Sequence, residues 1–203
     1  MILGTGSVPV KERRQQIMAP QTTINEVNGI DIDVLQTTLN NIKADPDLAK
    51  CKFHIHNQWL EGNHNRSTIT SFYGAKQENE HQQTFKLYAD EPPILAGHDQ
   101  APNPVEHLLN ALAGCVTTSL VAHAAVRGIH IRELESEIEG DIDLRGFLGL
   151  SPATPKGYTD IRVKFKVKAD TDDMEKLKSL AEYSPVYNSL INGTKVDIQV
   201  EPK

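Results

Sequence analysis

The chain is 203 residues long, with 21 Lys and Arg against 27 Asp and Glu, for a formal net charge of −6. That length predicts one domain, or one domain with an extension, and is enough to build a hydrophobic core. The acidic balance argues against a general nucleic-acid binder, and a mean hydropathy of −0.41 with no long apolar run argues against a membrane protein. Two cysteines, Cys51 and Cys115, are too few for a disulfide framework, and the N-terminus lacks the apolar stretch of a signal peptide, so a reducing, cytoplasmic setting is expected.

Residues 1–22 mix Gly, Pro and charge without periodicity and read as a mobile tail. Residues 24–32 read as a short extended piece turning at Asn28-Gly29. Asp33 then caps a helix carrying Val34, Leu35, Leu39 and Ile42, which ends before Pro46. That helix is amphipathic, so a packing surface is expected for it. From residue 51 to 59 the side chains alternate, with Cys51, Phe53, Ile55 and Trp59 on one face and His54, His56 and Gln58 on the other. Cys51 reads as core packing on that strand. His54 and His56, with His64 nearby, have no third ligand at metal spacing, so no metal is expected. Residues 61–65 form a turn, 66–73 a second strand, 84–88 a third, and 90–104 a Pro-rich loop.

The organising stretch is residues 103–128, NPVEHLLNALAGCVTTSLVAHAAVRG. Asn103 is a helix cap, Pro104 suits the first helical position, and Glu106 completes a capping box. Arg127 and Gly128 mark the stop. The helix between is roughly 36 Å long. Val105, Leu108, Leu109, Leu112, Val116, Leu120 and Val121 cover most of its circumference, which predicts a buried central helix. Glu106, His107, Asn110 and His123 interrupt it too often for a membrane span. Near its middle stands a thiol, Cys115. His123 reads as a core histidine.

After Gly128, residues 133–144 carry an acidic face, Glu133, Glu135, Glu137, Glu139, Asp141 and Asp143, opposite an apolar one. Residues 160–169 carry Arg162, Lys164, Lys166 and Lys168 opposite Ile161, Val163, Phe165 and Val167. The two charged ladders are expected side by side, since opposite charges across antiparallel strands contribute about 0.2–1 kcal/mol per pair. A helix capped by Asp172, with Glu175, buries Met174, Leu177 and Leu180. Ser184 and Pro185 start a short helix over residues 186–191, Asn192-Gly193 is a turn, and Val196, Ile198 and Val200 predict a last strand. The order is that of an α+β fold with antiparallel sheets. One half-sheet cannot cover a helix that is apolar all round, so a second copy of the chain is expected to sandwich it.

The pieces Asn103-Pro104, LLNALAGC over residues 108–115, Arg127-Gly128-Ile129, EGDIDLRGFLGL over residues 139–150 and Ser184-Pro185-Val186 together resemble the OsmC/Ohr family. The resemblance covers roughly residues 51–200. It implies an OsmC-like domain over residues 51–203, with antiparallel sheets wrapped around a buried central helix in an intertwined homodimer, and an N-terminal extension over residues 1–50 with one amphipathic helix. It implies thiol-dependent reduction of organic hydroperoxides or hydrogen peroxide in oxidative-stress defence, with Cys115 at the peroxidatic position. Such chemistry needs a thiolate, a guanidinium beside it, a carboxylate to orient the guanidinium, and a resolving thiol.

The chain departs from that pattern at two of these positions. Ser184 stands where the family has its resolving cysteine, and serine forms no disulfide. Val105 stands where the family has its orienting Glu, and Glu106, one residue later, lies about 180° around the helix from Cys115. For the guanidinium, Asn63 occupies the likeliest slot; Arg66 and Arg145 are the candidates. The resemblance thus implies a one-cysteine peroxidase with catalytic Cys115, Arg66 and Arg145, a pocket involving Glu106, Ser184, Leu112 and Phe147, an external thiol reductant, and no cofactor. The alternative is a non-catalytic binder of a hydrophobic small molecule at a dimer-interface pocket. No nucleic-acid or membrane partner is expected.

Overall fold

The computed structural model describes residues 25–203. The tail expected over residues 1–22, and Ile24, lie outside the described residues. Strands β1 (Glu26–Val27) and β2 (Ile30–Asp31) pair around Asn28-Gly29, whose φ angles of 55° and 76° suit the tight hairpin turn that Asn-Gly favours. Helix α1 (Ile32–Ala44) follows. Its cap is Asp31 rather than Asp33: Asp31 keeps extended backbone at the end of β2, and its carboxylate accepts the Val34 N–H at 2.9 Å. Asp33 falls in the first turn, where a carboxylate favours the helix dipole. The packing surface expected for this helix is only partial among the described residues: Leu35 and Ile42 are half-buried and none of its residues is fully buried.

The first sheet is antiparallel. Strands β3 (Lys52–Phe53) and β4 (His56–Glu61) both pair with β5 (His64–Gly74), and β6 (Gln77–Ala89) pairs with β5 as well. The strand expected over residues 51–59 breaks after Phe53. Strand β6 begins at Gln77 rather than at residue 84, because backbone pairing to β5 carries a polar stretch, QENEHQQ, that has no apolar alternation.

Helix α2 (Pro104–Val126) is the predicted central helix. Its length and apolar composition would suit a membrane span, yet one side packs as a core helix. Leu112, Val116, Leu120 and Ala124 meet Leu177, Leu180 and Ala181 of helix α4 (Met174–Ala181). The other side is open in the chain: Ala111, Gly114 and Thr118 are exposed. Strands β7 (Ile131–Ile142) and β8 (Tyr158–Ala169) form the second antiparallel sheet, joined through a one-turn helix α3 (Leu144–Phe147). Their register sets Glu133 opposite Lys168, Glu135 opposite Lys166, Glu137 opposite Lys164 and Glu139 opposite Arg162, so the two ladders face each other as expected.

The cap of α4 is Asp173, not Asp172; its carboxylate accepts the Lys176 N–H at 2.9 Å. Met174, expected in the core, is 48% exposed at the first position of the helix. Helix α5 (Pro185–Asn192) starts from Ser184 as predicted. The predicted last strand is not formed. Val196, Ile198 and Val200 stand 77%, 82% and 92% exposed, because no strand among the described residues pairs with them to take their backbone hydrogen bonds. The architecture is α+β with antiparallel sheets, the class the element order implied.

Candidate functional site

The site is built from the start of α2. Asn103 Oδ1 accepts the Glu106 N–H and Glu106 Oε2 accepts the Asn103 N–H, both at 2.8 Å, which closes the capping box. The Glu106 carboxylate, a sequence candidate for the pocket, is thereby held at the helix end. Two further contacts fix this first turn. The Tyr158 hydroxyl on β8 donates to the Val105 carbonyl at 3.0 Å, and His107 Nε2 lies 2.8 Å from the Tyr88 carbonyl on β6. Burial, with the Glu106 charge adding to it, holds the Tyr158 phenol above its ordinary pKa, so it stays protonated as a donor at neutral pH.

The loop into α2 is folded around Asp90, which is fully buried. Its carboxylate accepts the Glu91 N–H at 2.8 Å and the His98 and Gln100 N–H groups at 3.2 Å. Burial pushes the Asp90 pKa up, but these three donors outweigh it and hold the carboxyl below its usual range. The loop is also tied to the first sheet, where Asn63 Nδ2 donates to the Leu95 carbonyl at 3.0 Å. Asn63, read from spacing as the best match to the family's arginine position, serves the loop. Tyr158, His107 and Asp90 escaped sequence reasoning, because each acts across a turn or between sheets. The one local signal was an Asp directly ahead of a Pro-rich loop.

Cys115 lies about three turns into α2 and is half-buried. Its surroundings on the helix include the exposed Ala111, Gly114 and Thr118, so the thiol borders the open side. Ser184 is fully buried, and its hydroxyl oxygen accepts the Tyr187 N–H at 3.1 Å as the cap of α5. The preceding Tyr183 stacks on His123 of α2 at 4.2 Å. Burial, then the charge of Arg127, holds the His123 pKa below its ordinary value.

The two candidate arginines sit differently. Arg66 on β5 donates from Nη2 to Gln58 at 2.9 Å, while its buried Nε has no partner among the described residues. Arg145 is 67% exposed and forked on Asp143, with Nε at 3.1 and 3.0 Å from the two carboxylate oxygens and Nη2 at 2.5 Å from one of them. That pairing is the main reason the Asp143 carboxyl lies below its usual range. Among the described residues neither guanidinium hydrogen-bonds Cys115. Of the remaining candidates, Leu112 lies in the core and Phe147 is exposed on α3. Cys51, read from sequence as core packing, is exposed instead, just ahead of the first sheet where none of the described residues covers it. No three His, Cys, Asp or Glu side chains among the described residues gather as a metal-binding group.

A separate apolar groove of about 540 Å³ opens between α2, β8, α4 and α5. Val116, Leu120, Phe165, Leu177 and Tyr187 line it, and Cys115 does not. The arrangement therefore offers a half-buried thiol on α2, an exposed thiol just ahead of the first sheet, a buried serine capping α5, and an apolar groove apart from Cys115 and Cys51.

The family model described as OsmC-like protein matches residues 97–199. No curated relative matches the chain. Among solved structures, an OsmC like protein from Mycoplasma pneumoniae is 18% identical, with 70% of this chain and 89% of that one covered at a TM-score of 0.53. An osmotic stress induced and detoxification response protein from Psychrobacter arcticus is 17% identical, covering 66% of this chain and 85% of that one at 0.51. An OsmC-like protein of unknown function from Vibrio cholerae is 12% identical, with 68% and 92% covered at 0.50. At these identities the structures speak for the fold alone. The family model, running from the loop ahead of α2 to the C-terminal segment over half of the sequence, decides the assignment: the chain belongs to the OsmC-like protein family.

Proposed function

We propose that the protein is a one-cysteine thiol peroxidase acting on organic hydroperoxides or hydrogen peroxide. The observation that carries this reading is the half-buried Cys115 at the open side of α2, with Ser184 buried and committed to a helix cap. The Cys115 thiolate attacks the distal peroxide oxygen. The S–O bond forms, the O–O bond breaks, and the alkoxide leaves and takes up a proton as the alcohol. The sulfenic acid then condenses with an external thiol, releasing water, and a second thiol reduces the mixed disulfide. Ser184 takes no part in that exchange. Of the two arginines, Arg66 fits the anion-stabilising role better, because its buried Nε–H has no partner among the described residues while Arg145 is neutralised by Asp143.

The same reading includes a homodimer. It is supported by the open side of α2, by the exposed Phe53, Ile55, Trp59 and Leu87 of the first sheet, and by the unpaired alternation of Val196, Ile198 and Val200. The test is trapping of the sulfenic acid with a dimedone-type probe after cumene hydroperoxide, read as mass on the intact protein. Fast labelling at one site, lost in Cys115→Ser, is the expected result. No labelling at peroxide far above cellular concentrations would sink the reading.

The groove that excludes Cys115 favours a second reading, a non-catalytic binder of a hydrophobic small molecule. Inert Cys115, together with thermal stabilisation by an apolar ligand that Leu120→Asn abolishes, would select it.

A further inference from the structure

The described part of the N-terminal extension, residues 25–50, is held at two points, and none of the helix between them is buried. At one end, the Asn28 side chain bridges two backbone groups of the α2–β7 corner. Its Nδ2 donates to the Ile129 carbonyl at 2.9 Å, and its Oδ1 accepts the Ile131 N–H at 2.8 Å. The amide thus acts as a peptide group would, satisfying backbone groups at the start of the outer edge of β7, which among the described residues pairs only with β8. Asn28 reaches this corner because its positive φ at the hairpin turn is one that Asn tolerates. At the other end, Asp45 follows α1 directly and pairs with Lys76 in the β5–β6 turn. Between these points α1 spans 13 residues, none buried, about 20 Å in length.

We propose that residues 25–50 are a strut pinned at both ends, with Asn28 as its anchor, that braces the sheet carrying Arg66 against the half carrying Cys115. The brace stands apart from the peroxidase reading. Asn28 is a positioning residue, acting through the backbone of β7.

Amide hydrogen exchange of the full-length protein tests the anchor. Asn28→Gly keeps a turn residue that accepts positive φ and removes only the bridging amide. Exchange at Ile131 should quicken by roughly 5- to 100-fold, as expected for the loss of two hydrogen bonds. Asn28→Asp keeps the shape but turns a carboxylate oxygen against the Ile129 carbonyl, and that repulsion should push the side chain off the corner and cost Ile131 its protection too. Tryptic cleavage after Lys43 in α1 should rise in Asn28→Gly, and rise further when Lys76→Ala frees the second end. Lys76→Ala alone should leave Ile131 protected. Unchanged protection at Ile131 in Asn28→Gly, or full protection in Asn28→Asp, would overturn the proposal. So would a double variant cleaved no faster than the wild type. None of these readouts involves Cys115, so failure of the peroxidase reading leaves them intact.

Discussion

Substitution of Gly140 by Ala tests how tightly the start of α2 is held to the second sheet. A Cβ at position 140 would stand 2.6 and 2.8 Å from two ring carbons of Tyr158. The ring cannot retreat freely, since its hydroxyl is bonded to the Val105 carbonyl at 3.0 Å. Overpacking of this kind costs about 1–3 kcal/mol, and losing the hydrogen bond about 0.5–1.5 kcal/mol more. The sum is roughly 1.5–4.5 kcal/mol. For a chain of this size each kcal/mol lowers Tm by about 2–4 °C, so Gly140→Ala should melt roughly 3–18 °C below wild type. Calorimetry on Gly140→Ala, Tyr158→Phe and the double variant measures it. Tyr158→Phe alone should lose only the hydrogen bond. In the double variant the bond is already broken, so the two penalties should fall short of additive. A Tm for Gly140→Ala within about 1 °C of wild type, or strictly additive losses, would refute the clamp.

Two further outcomes follow from the same geometry. His123 titrates below its ordinary pKa in the folded chain, first through burial and then through Arg127, so the unfolded state binds its proton more readily. Stability from this group is complete above the unfolded value near 6.5 and is lost as pH falls through it towards the folded one. His123→Phe, which keeps an aromatic partner for Tyr183, should therefore lose less Tm than wild type between pH 7 and pH 5; parallel pH profiles would contradict this. Sedimentation velocity should find a species of twice the 22.5 kDa chain mass, and Ile198→Asp should shift it towards monomer. A wild-type monomer at micromolar concentration would remove the dimer from the proposed function.

Which features were legible in the sequence follows the range of the interactions behind them. The capping box of α2 is closed by residues three apart, Asn103 and Glu106, and was readable as a pattern. The same holds for the Ser184 cap with Pro185 behind it, and for the two ladders, whose period of two needs only an extended backbone. Where two neighbouring residues are equally competent, local pattern does not choose. Asp31 was chosen over Asp33 by where β2 left extended geometry, and Asp173 over Asp172 by which carboxylate reaches the free N–H of the first turn. Strand β6 was half hidden, because its polar first half owes its conformation to pairing with β5 rather than to alternation of its own. Tyr158 and Val105 are 53 positions apart, and Asn28 and Ile129 are 101 apart. No periodicity links such residues; their meeting is a property of the packed chain. The last case runs the other way. Val196, Ile198 and Val200 carry a clear strand pattern, but alternation states only which face would be buried, and a strand exists only beside an edge that takes up its backbone hydrogen bonds.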